Sequence, residues 1–213
     1  MSNLHIKVCG MRDADNIKKL SQLPINILGF IFYPKSPRYV GADFPKKNLS
    51  TIPSTVGKAG VFVNESLSDV ISIQKKYAFD YIQLHGNETP EYCRDFRKNS
   101  SAKIIKAFRI SDNTNFETMK QYESHCDMFL FDTYTSSYGG SGKQFSWSKL
   151  ASYNLETPFL LSGGITSDDA IRILSFEHPQ LFGIDINSKF EIEPGYKDVQ
   201  TVSEFAHKIR KTN

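Results

Sequence analysis

The alternation of short apolar runs with helix-like segments restricts the fold of this chain more than any other feature. Strands that alternate with helices form parallel sheets, and eight such units in 213 residues fit a closed (β/α)8 barrel near its minimum size. We therefore predict an α/β fold, a single-domain TIM barrel over residues 1–213. A doubly wound open sheet is the alternative, although no GxGxxG follows the first run, which weakens its dinucleotide-binding form. The eight runs span 5–10, 27–32, 57–63, 79–85, 103–108, 127–132, 158–163 and 181–186.

Helix start signals lie between these runs. Residues that can cap or open a helix precede four of the intervening segments. The final segment, 197–211, has an amphipathic pattern. The helix signal is weakest after the sixth run, because "TYTSSYGGSGKQF" (133–145) is typical of a long loop. The glycines of this loop would permit it to close over a ligand. The predicted helix starts are Asp13, Ser66, Thr89–Pro90 and Ser167.

Polar side chains converge at the ends of four predicted strands. Functional residues of a barrel lie at the carboxyl ends of its strands, and side chains alternate between faces along a strand. The apolar set, which includes Phe182, Ile184 and Ile186, is predicted to pack against the helices. Because buried charge is costly without partners, this convergence favours a functional site in the barrel mouth. The residues predicted to face that mouth are Lys7, Cys9, Gln83, His85, Asp132, Gly183 and Asp185.

Each of these residues has a plainer interpretation when it is taken alone. A single buried cysteine such as Cys9 is commonly a small hydrophobic residue. Asp132, at the end of a strand, can cap the following turn. Asp185 can be a structural partner of Lys7. The case for a site therefore depends on their convergence.

Two glycine-containing strand ends predict a phosphate site. "LSGGI" ends the seventh run and "DINS" ends the eighth. In barrels, the loops after these two strands often bind phosphate through backbone N–H groups and a helix N-terminus. We therefore expect Gly163, Gly164, Asn187 and Ser188 to hold a phosphate, although a Gly-Gly pair can also be only a tight turn.

Composition excludes several classes of protein. The formal charge of +3 is mild and no stretch holds five or six consecutive like charges, so nucleic-acid binding has no support. No run approaches the roughly 18 apolar residues of a membrane span, and the N-terminus lacks the apolar core of a signal peptide. Three cysteines without CxxC spacing favour neither a disulfide framework nor a zinc site. We predict a cytoplasmic protein.

Seven motifs in order resemble those of the phosphoribosylanthranilate isomerase family of tryptophan biosynthesis along nearly the whole chain. The family performs an Amadori rearrangement in a (β/α)8 barrel, with a small phosphosugar substrate and with neither cofactor nor metal, and the resemblance also favours a monomer. The motifs are "KVCG" (7–10), "GFIFYPKSPRYV" (29–40), "GVFVN" (60–64), "IQLHGNE" (82–88), "LFDTY…GGSGKQFSW" (130–147), "LSGGI" (161–165) and "GIDINSKFE…PGYKD" (183–198).

The resemblance assigns a role to individual residues. It implies that Cys9 is the general base and Asp132 the general acid. It implies that Arg38 pairs with the anthranilate carboxylate and that Asp185 lines the substrate site. The Gly163–Gly164 and Asn187–Ser188 loops would hold the phosphate. Because a thiol is a poor base until it ionises, we add the hypothesis that Lys7 favours the Cys9 thiolate.

Two departures from the family pattern bear on the site. "NSK" replaces a Ser-Ser-Gly core in the eighth loop, so Lys189 stands where a glycine is usual. We expect the loop to tolerate this side chain, the alternative being that its ammonium group binds phosphate. "FSW" replaces the commoner "FDW", and Ser146 is predicted to cap the short helix that follows.

Two other functions remain as alternatives. One is a related phosphate-binding barrel, such as the histidine-pathway isomerase, but those enzymes resemble a duplicated half-barrel with two carboxylates, and no internal repeat is evident here. The other is a non-catalytic or altered-specificity phosphosugar-binding barrel. The intact acid, base and phosphate loops argue against it.

Overall fold

The computed structural model describes residues 4–133 and 146–211, and within them eight parallel strands close into a barrel. Each strand pairs with the next one along the chain, and β1 pairs with β8. The prediction of eight strands in a closed barrel is confirmed. The strands are β1 (His5–Val8), β2 (Ile27–Ile31), β3 (Gly57–Phe62), β4 (Tyr81–Leu84), β5 (Lys103–Ile110), β6 (Met128–Thr133), β7 (Phe159–Leu161) and β8 (Leu181–Ile186).

The links between strands are a mixture of α-helices and 3-10 turns. A small hairpin, β9 (Glu191–Glu193) and β10 (Tyr196–Lys197), lies between β8 and the last helix. None of the described helices is long and apolar enough to cross a membrane. The 3-10 turns span Lys46–Leu49, Phe116–Tyr122, Trp147–Ser152, Ser167–Asp169 and Ser188–Phe190. The α-helices are α1 (Ala14–Leu20), α2 (Leu67–Tyr77), α3 (Pro90–Asn99), α4 (Ala170–Leu174) and α5 (Val199–Lys211).

Three of the predicted helix caps are confirmed. The side chains of Asp13, Ser66 and Thr89 each accept a hydrogen bond from a backbone N–H in the first turn of their helix. Ser167, the fourth predicted start, is the first residue of the Ser167–Asp169 turn, and the N-cap before it is Thr166, which forms a capping box with Asp169.

Ser146 stands at the predicted N-cap position, but its side chain does not cap the turn. Its Oγ lies 2.6 Å from the Oγ of Ser148. The two hydroxyls therefore satisfy each other, and the backbone of the turn gains no side-chain cap.

The barrel has apolar layers on both faces of its sheet. The larger one fills the space between the strands and the outer helices. The smaller one lies on the opposite face, the same face of β5 and β6 that carries Arg109 and Asp132 two residues further along. This smaller apolar layer therefore closes the barrel interior below the polar residues at the strand ends. Its members are Ile105, Ala107, Met128, Leu130 and Leu160.

The prediction that Phe182 faces the helices is wrong, because a β-bulge in β8 turns this side chain toward the interior of the barrel. Leu160 pairs with Gly183 whereas Phe159 pairs with Leu181, so Phe182 is an extra residue in this register. Phe182 therefore packs against the inner apolar layer and stacks on the His5 ring at 4.0 Å, rather than facing the helices. Gly183 is required beside it, since an added Cβ would lie 2.1 Å from the carbonyl oxygen of His5.

Candidate active site

One cavity at the carboxyl ends of the strands is lined by all eight residues to which the resemblance assigns a catalytic or binding role. β1, β6, β7 and β8 contribute through their ends and the loops that follow, and Arg38 comes from the loop after β2. The alternation of side chains along each strand is what directs these groups to one place. The eight predicted residues around the cavity are Cys9, Arg38, Asp132, Gly163, Gly164, Asp185, Asn187 and Ser188.

Cys9 lies beside a buried ion pair at the exit of β1. Lys7 Nζ is 2.7 Å from Asp185 Oδ1, with side chains 0% and 6% exposed. β1 and β8 pair Lys7 directly with Asp185, so the register of the barrel makes this contact. A Cβ on Gly29 would lie 2.9 Å from Cys9 Sγ and 3.3 Å from Lys7 Nζ, so a glycine is needed where the thiol and ammonium groups sit side by side.

Opposing influences act on the Cys9 thiol. Burial raises its pKa above the ordinary value, and the charge of Lys7 is the largest of the influences that lower it. Burial also disfavours the charge of Lys7, but Asp185 and Cys9 hold the pKa of Lys7 above its ordinary value. Lys7 therefore stays protonated next to the thiol. It moderates the effect of burial on Cys9 without reversing it.

Replacing Lys7 by methionine should raise the pKa of Cys9 further, because the neighbouring positive charge is lost. Lys7→Met alone also leaves the Asp185 carboxylate, which raises the pKa of Cys9, buried without its partner, so the Lys7→Met/Asp185→Asn double variant is compared with Asp185→Asn. The measurement is a thiolate titration by ultraviolet absorbance, with the titration of the corresponding Cys9→Ala protein subtracted to remove the signal of Cys93 and Cys126. A Cys9 pKa that Lys7→Met leaves unchanged, both in the wild type and in the Asp185→Asn background, would refute the influence of Lys7.

Asp132, at the end of β6, is held by a chain of side chains from β4. His85 Nε2 lies 3.4 Å from Asp132 Oδ2, and Gln83 Nε2 lies 2.8 Å from His85 Nδ1. The Gln83 amide thus contacts one ring nitrogen of His85 while the other ring nitrogen faces the carboxylate. Asp132 is 23% exposed, so it is supported on one side and open to the cavity on the other.

The two candidate phosphate loops have different backbone features. Gly163 and Gly164 have φ values of +89° and +68°, which glycine adopts without strain. Lys189 is exposed, is absent from the cavity lining and has no positive φ. These observations support the expectation that the loop tolerates Lys189. The Ser188–Phe190 turn does not require a glycine.

Arg38 carries an interaction that its sequence context did not predict. Its Nε lies 2.9 Å from both carboxylate oxygens of Glu191, and its Nη2 lies 2.7 Å from Oε2. The Glu191 side chain is 4% exposed. One edge of the guanidinium group is thus occupied, while Arg38 still lines the cavity.

Sequence reasoning missed three charged residues near the site. Arg109 lines the cavity directly opposite Asp132 in the β5–β6 register, and the alternation would have found it had the fifth strand been extended beyond 108. Glu191 and Lys197 lie within the quoted "FE…PGYKD" motif but carry no periodic signal of their own. The predicted loop "GGSGKQF" (139–145) lies outside the described residues.

Comparisons with known proteins agree with this geometry. The family model described as N-(5'phosphoribosyl)anthranilate (PRA) isomerase matches residues 6–208. A curated N-(5'-phosphoribosyl)anthranilate isomerase from Parabacteroides distasonis is 47% identical over 206 residues, covering 96% of this chain and 92% of the relative. A relative of the same name from Thermotoga neapolitana is 35% identical over 208 residues, covering 97% and 98%.

Solved structures give the same result. Phosphoribosyl anthranilate isomerase from Thermotoga maritima matches with a TM-score of 0.85 at 29% identity, covering 98% of this chain and 99% of that one. A second structure of such an isomerase, in complex with reduced 1-(o-carboxyphenylamino)-1-deoxyribulose 5-phosphate, has a TM-score of 0.80 at 26% identity, with coverage of 98% and 99%. From its closed barrel, its strand-end residues and these matches, this chain belongs to the N-(5'-phosphoribosyl)anthranilate isomerase family.

Proposed function

We propose that the chain converts N-(5-phosphoribosyl)anthranilate into 1-(o-carboxyphenylamino)-1-deoxyribulose 5-phosphate, with Cys9 as general base and Asp132 as general acid. The observation that carries this assignment is the placement of a thiol and a carboxyl group, from β1 and β6, around one cavity. Neither strand is a neighbour of the other in the barrel. A sugar can therefore sit between the two groups.

In the first step, Asp132 acts on the ring oxygen of the ribose. It donates a proton as the C1′–O bond breaks, and the nitrogen lone pair forms a C1′=N⁺ bond. Asp132 is left as a carboxylate facing Nε2 of His85. The contact between Gln83 Nε2 and His85 Nδ1 orients the ring toward this carboxylate.

In the second step, Cys9 acts on the opened sugar. The iminium group acidifies the C2′ proton, which the thiolate removes, and the electron pair of that C–H bond neutralises the nitrogen to give an enolamine. The 2′ hydroxyl then loses a proton and C1′ gains one, which yields the ketose. The protonated Lys7 beside Cys9 stabilises the thiolate that this step requires.

Substrate binding is assigned to the two ends of the cavity. Gly163, Gly164, Asn187 and Ser188 would hold the phosphate through the loops after β7 and β8, the usual place in such barrels. Asp185, held by Lys7, would line the centre. Arg38 would pair with the anthranilate carboxylate, for which a planar guanidinium group is suited.

Replacing Arg38 by alanine should raise KM with little change in kcat. A charge-assisted hydrogen bond contributes about 1.5 to 3 kcal/mol, which corresponds to an increase of about 10- to 150-fold in KM. Steady-state kinetics on the purified variant would measure both constants. A large fall in kcat at unchanged KM would contradict a role in ground-state binding.

The domain organisation, oligomeric state and cellular location of the enzyme form a second part of the proposal. We infer that residues 1–213 act as one catalytic domain, as a monomer and in the cytoplasm, without cofactor or metal. Three free, buried cysteines fit a reducing compartment. Among the described residues, the exposed large hydrophobic side chains are Ile171 and Ile192, too few for a large dimer interface. Light scattering after gel filtration would test the monomer.

The function is tested by the fluorescence of anthranilate. N-(5-phosphoribosyl)anthranilate is generated in situ, the protein is added in the presence of EDTA, and conversion to the aminoketose is followed. Turnover that persists in EDTA would support a cofactor-free isomerase. A folded protein without turnover on this substrate would instead favour a phosphosugar-binding barrel of altered specificity.

A further inference from the structure

We propose that Glu191 and Lys197 are positioning residues that hold Arg38 for the substrate carboxylate and so determine the preference for a carboxylated aryl amine. The inference rests on the proposed function, because it concerns the part of the cavity assigned to the anthranilate ring. Glu191 and Lys197 do not line the cavity themselves, and they would set the specificity for the anthranilate ring through Arg38.

The Glu191 carboxylate is the centre of a network of hydrogen bonds from protein groups. Besides the three bonds from Arg38, Oε1 accepts from Lys197 Nζ at 2.5 Å and from the backbone N–H of Gly195 at 3.2 Å. Its carboxylate is therefore saturated and 4% exposed. Burial opposes ionisation, but Arg38 and Lys197 hold the pKa of Glu191 below its ordinary value. Glu191 is thus an anion that pairs with two cations of the protein and has no group left to bind the substrate.

The orientation of Arg38 follows from these bonds. Glu191 occupies the Nε and Nη2 side of the guanidinium group. Nη1 makes no hydrogen bond with the part of the chain that the structure describes, and Arg38 lines the cavity. Because the guanidinium group is planar, two-point attachment on one edge also fixes the direction of the other edge. The outer edge is thereby preorganised for a carboxylate.

Lys197 connects this arrangement to the phosphate loop. Its side chain is 0% exposed, and Nζ also lies 2.6 Å from Asn187 Oδ1 and 3.3 Å from Asn187 O. A Cβ on Gly10 would meet Arg38 Cδ at 2.7 Å and Asn187 Oδ1 at 2.8 Å, so the two residues converge on Gly10. One buried network therefore contacts both ends of the proposed substrate site.

The charges of the network match one carboxylate. Burial lowers the pKa of Lys197 to about 8, so below that pH Arg38 and Lys197 are positive, Glu191 is negative, and the three groups sum to one positive charge. Removal of Glu191 alone would leave two buried cations together, whereas removal of both Glu191 and Lys197 would keep the sum. This difference allows the loss of orientation to be separated from the loss of charge balance.

The test compares two substrates in a small set of variants. The substrates are the N-phosphoribosyl adducts of anthranilate and of aniline, which lacks the carboxylate, and the ketose products are separated by chromatography. The ratio of their kcat/KM values measures carboxylate recognition. We expect Glu191→Gln and the double variant Glu191→Gln/Lys197→Met to lower this ratio about 10-fold through KM, with kcat changed less than about threefold. Glu193→Gln, at an exposed position of the same strand, is the matched control and should not alter it.

Variants in the Arg38→Ala background separate two claims, that Arg38 recognises the carboxylate and that Glu191 positions Arg38. If Glu191 acts through Arg38, then Glu191→Gln should add nothing to the loss caused by Arg38→Ala. An Arg38→Ala enzyme that still prefers the anthranilate adduct would refute the proposed role of Arg38 itself. If Arg38→Ala removes the preference while both Glu191 variants retain it, the positioning role alone is wrong. A Glu191→Gln protein that does not fold leaves the charge-balanced double variant to decide.

Discussion

Replacing Cys9 by alanine should lower kcat by about 10²- to 10⁴-fold, the usual contribution of a positioned general base. The methyl side chain cannot accept the C2′ proton, and the lysine beside it cannot substitute because Asp185 holds it in its charged form. Phosphate and carboxylate binding involve other residues, so KM should change far less. The measurement is steady-state or single-turnover conversion followed by anthranilate fluorescence.

Cys93→Ala is the matched control for this experiment. Cys93 is also fully buried, but it lies on α3 and away from the cavity. Its truncation should lower the thermal midpoint while leaving kcat within about threefold, because a cavity in the core acts on stability. A Cys9→Ala enzyme with the kcat of the wild type would contradict the assignment of the base.

Replacing Asp132 by asparagine should also lower kcat by about 10²- to 10⁴-fold, because the amide has the same size but cannot supply the proton for ring opening. The side chain is 23% exposed, so the substitution should cost little stability. Asp95→Asn, on the exposed face of α3, is the control for a general effect of lost charge. Full activity of Asp132→Asn, or an equal loss in Asp95→Asn, would contradict a role as general acid.

Much of the site could be predicted because it follows from periodicity. Two-residue alternation in β1 is enough to place Lys7 and Cys9 together, and the same rule applied to β6 places Asp132. Phe182 departs from the rule because a bulge adds one residue to β8, and a bulge leaves no mark in the apolar pattern.

The Glu191 network could not be predicted by the same means. Arg38 and Glu191 are separated by 153 positions, and their contact depends on the fold of the β9–β10 hairpin, which also brings Lys197 to the carboxylate. A lone glutamate in a loop is ordinarily a solvated residue. Only the closed barrel brings the loops after β2 and β8 together and buries this one.

Chemical trapping of the ring-opened intermediate can distinguish the role of Cys9 from that of Asp132, because acid and base act on different steps. The anthranilate adduct is mixed with wild type, Cys9→Ala or Asp132→Asn in the presence of cyanoborohydride, which reduces C=N⁺ to a stable amine, and with a control that lacks enzyme. We expect Cys9→Ala to accumulate the reduced amine above the control and Asp132→Asn not to do so. Trapping by Asp132→Asn but not by Cys9→Ala would reverse the two roles and refute the assignment of Cys9 as base and Asp132 as acid.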